Sequence, residues 1–243
     1  MRAALFMFAL LACNSHNPST TDAAMAFDAI DATIRIDAAI PIDTVPDSPP
    51  DAPSPDCPTY CAAIQANCTD ANAQYADATA CMTTCAAFAP GALVDTSGNT
   101  LGCRTFYAGT LSMTDPVVNC PHAGPAGDII SDNPGFCSGG NTCTSFCAIE
   151  IQGCGSLEAP LPGDPVDSRG LPLYQYRNMA SCVSACAGLD KTHPYSTTSV
   201  GDSLACRLNE AVRATVSVAP DATTHCSSTL LNPRNSCAGT ATP

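Results

Sequence analysis

Seventeen cysteines punctuate this chain, and all but Cys13 fall into two series of eight whose spacings echo each other. The first series, at 57, 61, 68, 81, 85, 103, 120 and 137, leaves 3, 6, 12, 3, 17, 16 and 16 residues between neighbours. The second, at 143, 147, 154, 182, 186, 206, 226 and 237, leaves 3, 6, 27, 3, 19, 19 and 10. The flanking residues repeat as well. Cys57-Pro58-Thr59-Tyr60-Cys61-Ala62 answers to Cys143-Thr144-Ser145-Phe146-Cys147-Ala148. Gln74-Tyr75-Ala76-Asp77 ahead of Cys81 answers to Gln175-Tyr176-Arg177-Asn178 ahead of Cys182. Gly98-Asn99-Thr100-Leu101-Gly102-Cys103-Arg104 answers to Gly201-Asp202-Ser203-Leu204-Ala205-Cys206-Arg207. Tandem duplication accounts for all of this at once. An even cysteine count at matched spacing reads as a disulfide framework, which belongs to an oxidising compartment.

Each matched block predicts a short helix. Cysteines at i and i+4 share one helical face. Asp77 and Asn178 are N-cap residues for the second helix of each module, and Pro58 suits the first turn of the first. Asn99-Thr100 and Asp202-Ser203 cap a third. Two antiparallel helices that each carry a Cys-x3-Cys face can be bridged outer to outer and inner to inner. This predicts Cys57–Cys85 with Cys61–Cys81, and Cys143–Cys186 with Cys147–Cys182, an arrangement that resembles twin Cys-x3-Cys helical hairpins. Spacing does not pair Cys68, Cys103, Cys120, Cys137, Cys154, Cys206, Cys226 or Cys237. The expected fold is mainly α: two tandem, disulfide-rich helical modules, 57–137 and 143–237, of about three short helices each. With no Trp and few aromatics, such cores are small, and small cores depend on staples.

Ahead of the repeat lie one basic residue, Arg2, ten apolar residues from Ala3 to Ala12, and Cys13. Ten residues cannot span a bilayer, which takes about 20, but they suit the apolar region of an export signal. Leu10-Leu11-Ala12-Cys13 resembles the lipobox of bacterial lipoproteins. That resemblance implies cleavage after residue 12, acylation of Cys13, and anchorage to a membrane. Asn14 at the next position, by the same resemblance, implies the outer rather than the inner membrane of a Gram-negative bacterium. Residues 13–56 read as a solvated tether, with Asp at 22, 28, 31, 37, 43, 47, 51 and 56 against the single base Arg35, and a Pro-rich stretch from Pro46 to Pro58. Self-repelling charge and proline favour an extended chain. The net charge of −13 argues against a nucleic-acid partner.

The catalytic and metal motifs are few. Gly201-Asp202-Ser203-Leu204 is similar to the signature of the GDSL esterase family, which implies Ser203 as nucleophile, with Asp221 and His225 downstream. The surroundings depart from that family. The spacing Asp221-Ala222-Thr223-Thr224-His225 is one residue too long, too little chain follows, and the matched site of the first module, Gly98-Asn99-Thr100-Leu101, keeps the cap but has no Ser. No Cys-x2-Cys-His haem site exists. His122 and His225 flank matched cysteines and read as loop residues rather than a metal pair, while His16 and His193 have no supporting ligands. Helical Cys-x3-Cys bundles can hold Cu(I) through thiolates, which makes copper storage the alternative to a stapled scaffold. The expected role is structural or binding rather than enzymatic, without a cofactor. Its partners would be the membrane through Cys13 and a protein or surface polymer. The candidate binding loop lies between Cys154 and Cys182, with Leu157, Leu161, Leu171, Leu173 and Tyr174, because binding residues concentrate on loops carried by rigid scaffolds.

Overall fold

Helix caps set the boundaries of almost every element. The computed structural model describes residues 53–130, 136–158, 176–218 and 221–240. Helix α1 (Cys57–Asn67) starts where Asp56 accepts the Thr59 N–H at 2.7 Å, with Pro58 in the first turn. Helix α2 (Ala78–Cys85) is capped by Asp77 and α3 (Leu101–Phe106) by Thr100. Helix α4 (Pro116–Ala123) follows Asp115, whose carboxylate accepts the Val118 N–H. The second half repeats the series with α5 (Thr142–Cys154), α6 (Met179–Cys186), α7 (Leu204–Ala214) and α8 (Asp221–Ser228). Asn178 and Ser203 cap α6 and α7. Each half thus has a fourth helix, carrying Cys120 or Cys226, that cysteine spacing alone did not mark. The halves differ after the third cap: α7 runs unbroken to Ala214, whereas the chain after α3 kinks at Gly109, where the second half has Val212. No strand occurs among the described residues.

The eight bridges obey one scheme used twice. Cys57 is bonded to Cys85 and Cys61 to Cys81, as Cys143 is to Cys186 and Cys147 to Cys182. Cys68 is bonded to Cys120 and Cys103 to Cys137, matched by Cys154–Cys226 and Cys206–Cys237. The first two bridges of each half staple the helical hairpin; the third ties the end of its first helix to its fourth. The backbone is duplicated in equal detail. Gly98 donates to the Phe136 carbonyl and Gly201 to the Ser236 carbonyl; Leu101 donates to Ala89 and Leu204 to Asp190. Gly98 and Gly201 both sit at positive φ, +94° and +82°, which only glycine adopts without strain. Eight disulfides are the mark of an oxidising, extracellular-type environment. No helix among the described residues is long and apolar enough to cross a membrane.

Residues Ser48–Pro243 form one compact unit, and a single hydrophobic cluster runs through both halves. It joins Tyr60, Ile64 and Tyr75 of the first half to Phe146, Ile149, Leu204 and Leu208 of the second. Polar contacts cross between the halves too. Thr83 Oγ1 and Thr215 Oγ1 share a hydrogen bond at 2.9 Å, Gln152 donates to the Thr83 carbonyl, and Tyr195 donates to the Gln74 carbonyl at 3.2 Å.

Candidate functional site

Burying a full charge costs several kcal/mol unless it is paired and hydrogen-bonded. Even so, each half encloses an arginine completely, Arg104 and Arg207. Arg104 donates Nε to the Gly124 carbonyl at 3.2 Å, Nη1 to Thr100 at 3.2 Å, and Nη2 to Pro125 at 3.4 Å and to Ser145 Oγ at 2.9 Å. Its guanidinium carbon lies 3.8 Å from the centre of the Phe88 ring. Arg207 donates to the equivalent carbonyls of Leu230, Ser203 and Leu231 at 3.1, 3.2 and 3.3 Å. The fourth partner differs. Arg207 pairs directly with Asp202 at 2.6 Å, whereas Asn99 stands in that place in the first half and meets Arg104 through Ser145. Both arginines pin the third cap to the chain beyond the fourth helix. Burial draws the Arg104 guanidinium below its ordinary pKa, with the nearby Tyr60 and Tyr75 opposing the shift.

The two halves fill the space under their first helices differently. In the first, Tyr60 donates to the Ala123 carbonyl at 2.7 Å and shares a hydrogen bond with Tyr75 at 2.9 Å, beside Ile64. In the second, Phe146 replaces Tyr60 and Glu150 replaces Ile64. Glu150 is 2 % exposed; one carboxyl oxygen accepts from Thr229 at 2.8 Å, while Oε2 and the Tyr176 hydroxyl are buried without a hydrogen-bond partner among the described residues. Burial pushes the Glu150 carboxyl up to about 7, against the lowering effect of the Thr229 hydrogen bond. The folded state therefore retains a proton that the unfolded chain releases near pH 4.5, so stability falls as pH rises from about 4.5 to 7 and levels off above. We expect Glu150→Ile, which installs the residue of the first half, to remove this dependence. The variant should gain about 3 kcal/mol over the parent at pH 8 and much less at pH 4.5, read by urea unfolding with the bridges intact. Parallel stability profiles for parent and variant would show that the carboxyl titrates alike in the folded and the unfolded chain.

Two of the clefts lined by described residues have the size of small-molecule sites. One, of about 480 Å³, is mostly apolar, with Val117, Val118, Ile129, Ile130 and Phe136 among its walls. His122 lines it, stacked on Phe136 at 3.7 Å between ring centres and held by Asp128 at 3.2 Å. The other, of about 450 Å³, takes Ala76, Asp77 and Ala80 from the first half and Tyr195, Asn209, Val212, Arg213 and His225 from the second. There Glu210 is buried beneath the wall and bonded to His225 Nδ1 at 2.6 Å and to Arg213 at 3.2 Å. Burial raises the Glu210 carboxyl, but the hydrogen bonds from His225 and Ser236, with the charges of His225 and Arg213, outweigh it and hold the group below its usual range.

The residues singled out from the sequence are distributed as follows. Ser203 is 1 % exposed and its hydroxyl caps α7 by accepting from Cys206 N–H at 3.2 Å, as Thr100 caps α3. His225 pairs with Glu210 and not with Ser203. His122 and His225 hold different acids in different clefts, and His193 pairs with Asp190 at 3.3 Å. Among the described residues no three His, Cys, Asp or Glu side chains gather as a metal site. Leu157 is 58 % exposed at the stem of the candidate loop, where the Leu157 and Glu158 N–H groups bond the Tyr176 and Arg177 carbonyls and Glu158 pairs with Arg177 at 2.7 Å. Leu161, Leu171, Leu173, Tyr174, Cys13 and His16 lie outside the described residues. The sequence reading assigned no role to Arg104, Arg207, Glu150 or Glu210. The two arginines did leave a signal, one identical Cys-Arg step in each repeat.

Residues 57–145, from the first helical hairpin to the opening turn of α5, match the family model of the BfoA family C-terminal domain. No curated protein and no solved structure matches the chain.

Proposed function

We propose that this is a lipid-anchored surface protein of a Gram-negative bacterium whose stapled helical unit binds a ligand or partner rather than catalysing a reaction. One observation carries the reading: sixteen cysteines bond among themselves, so Cys13 is the odd one of seventeen, and it follows the lipobox-like Leu10-Leu11-Ala12. A thiol outside the disulfide framework is what an acyl anchor consumes. The acidic, proline-rich stretch behind it would hold the unit away from the membrane surface. Rigid scaffold and open clefts suit recognition, and Ser203, the one residue with an esterase signature, is occupied as a cap. Copper storage draws on thiolates, and bonded sulfur supplies none.

Metabolic labelling with an alkyne-bearing palmitate in a Gram-negative host is the direct test. The parent should take up label and sediment with outer membranes, whereas Cys13→Ser should remain unlabelled. Label that persists without Cys13, or a parent that never acquires any, would end the anchor reading. Thiol titration of the labelled protein should find no reactive thiol without reductant; many thiols with copper bound would restore the storage alternative.

A further inference from the structure

In a duplicated scaffold, the residues that hold the fold recur, and those that differ mark what one copy does alone. The buried arginines and all four bridges recur. The polar wall of the 450 Å³ cleft does not: Asn209, Arg213 and His225, with Glu210 beneath them, occupy positions held by Phe106, Thr110, Asn119 and Tyr107 in the first repeat. The replacement is also an organised one. Glu210, 2 % exposed, anchors His225 through Nδ1 and Arg213 through one N–H, which leaves the other imidazole nitrogen and the remaining guanidinium donors for the cleft. Asn209, only 4 % exposed, lines the same space. Opposite charge comes from the first half: Asp77 gives one oxygen to the α2 cap at 2.8 Å and is itself exposed at the cleft. Ala76, Ala80, Val212, Val216 and part of Tyr195 supply apolar wall. The volume is within the range of small-molecule sites.

We propose that this cleft binds a small zwitterion of the amino-acid class, its carboxylate on Arg213 and Asn209, its ammonium on Asp77, and its short apolar body against Val212 and Val216. The proposal rests on the binding role argued above and adds the ligand's chemistry. Paired donors from a guanidinium and an amide suit a planar carboxylate, and a single carboxylate at the mouth suits an ammonium. Neither charge alone matches the cleft, so the class is set by the combination.

The test is calorimetric titration of the full-length Cys13→Ser chain, bridges intact, with L-leucine and with its two halves, 4-methylpentanoate and 3-methylbutylamine. L-leucine should bind one to one, and each half at least about tenfold more weakly. Arg213→Gln should weaken L-leucine and the acid about tenfold but not the amine. Asp77→Asn preserves the cap and should weaken L-leucine and the amine but not the acid. A half-ligand as tight as L-leucine, binding that survives both substitutions, or no heat from any of the three at millimolar concentration would overturn the assignment. Because this chain lacks the acylated cysteine, these results are independent of the labelling experiment, and failure here with intact labelling sinks the ligand assignment alone.

Discussion

Removal of the Cys154–Cys226 bridge, as Cys154→Ala/Cys226→Ala, is expected to lower the unfolding free energy by about 4 kcal/mol. The bridge spans 72 residues and ties the end of α5 to α8, across the segment that contains α6 and α7. A cross-link stabilises chiefly by limiting the unfolded chain, and the effect grows with the logarithm of loop length. Neighbouring bridges shorten the effective loop, but the logarithm makes that correction small. Both cysteines are fully buried, so the lost sulfur contacts add to the entropic effect. The matching hairpin experiment, Cys61→Ala/Cys81→Ala over 20 residues, should cost nearer 3 kcal/mol. Guanidinium unfolding of the oxidised variants measures both. Equal, negligible losses would mean that the core holds without staples, and the reading of these halves as too small to stand alone would fall.

What could be read from the sequence was local. Cysteines four apart fix a helical face, and two such faces have few ways to meet, so the hairpins followed from spacing. The caps were legible for the same reason, since Asp77, Asn178, Thr100 and Ser203 act within three residues of themselves. The third and fourth bridges of each half were not legible, because their cysteines stand singly, with no second cysteine four residues away to mark which faces meet. The polar cleft was hidden more deeply: Asp77, Asn209 and His225 are far apart in sequence and meet only when the two halves share one core. His122 and His225 show where spacing misleads. Read as loop residues, they lie in α4 and α8, and each pairs with an acid of its own, His122 with Asp128 and His225 with Glu210.

Arg207→Met should cost about 3 kcal/mol, although it removes no covalent bond. Methionine matches much of the aliphatic stem, so cavity formation is minor; the loss comes from the partners left behind. The part-buried carbonyls of Leu230 and Leu231 would each lose a donor, at about 1–3 kcal/mol for each one left unsatisfied, partly relieved by water and local relaxation, while the Ser203 carbonyl keeps the residue 207 N–H. Asp202 contributes less, because its side chain is half-exposed and regains water when the ion pair is broken. Arg104→Met should behave alike in the other half, where the Phe88 face and Ser145 stand in for the carboxylate. Lysine is the discriminating substitution. Arg207→Lys keeps the charge but offers a compact ammonium in place of a planar set of donors aimed at separate carbonyls, so it should recover less than half of the loss. The control is Arg177→Ala, which breaks an exposed pair with Glu158 and should cost under about 1 kcal/mol. Should urea unfolding put Arg207→Met level with Arg177→Ala, or Arg207→Lys level with the parent, the guanidinium would not be what joins the third cap to the chain beyond the fourth helix, and its recurrence in both repeats would need another cause.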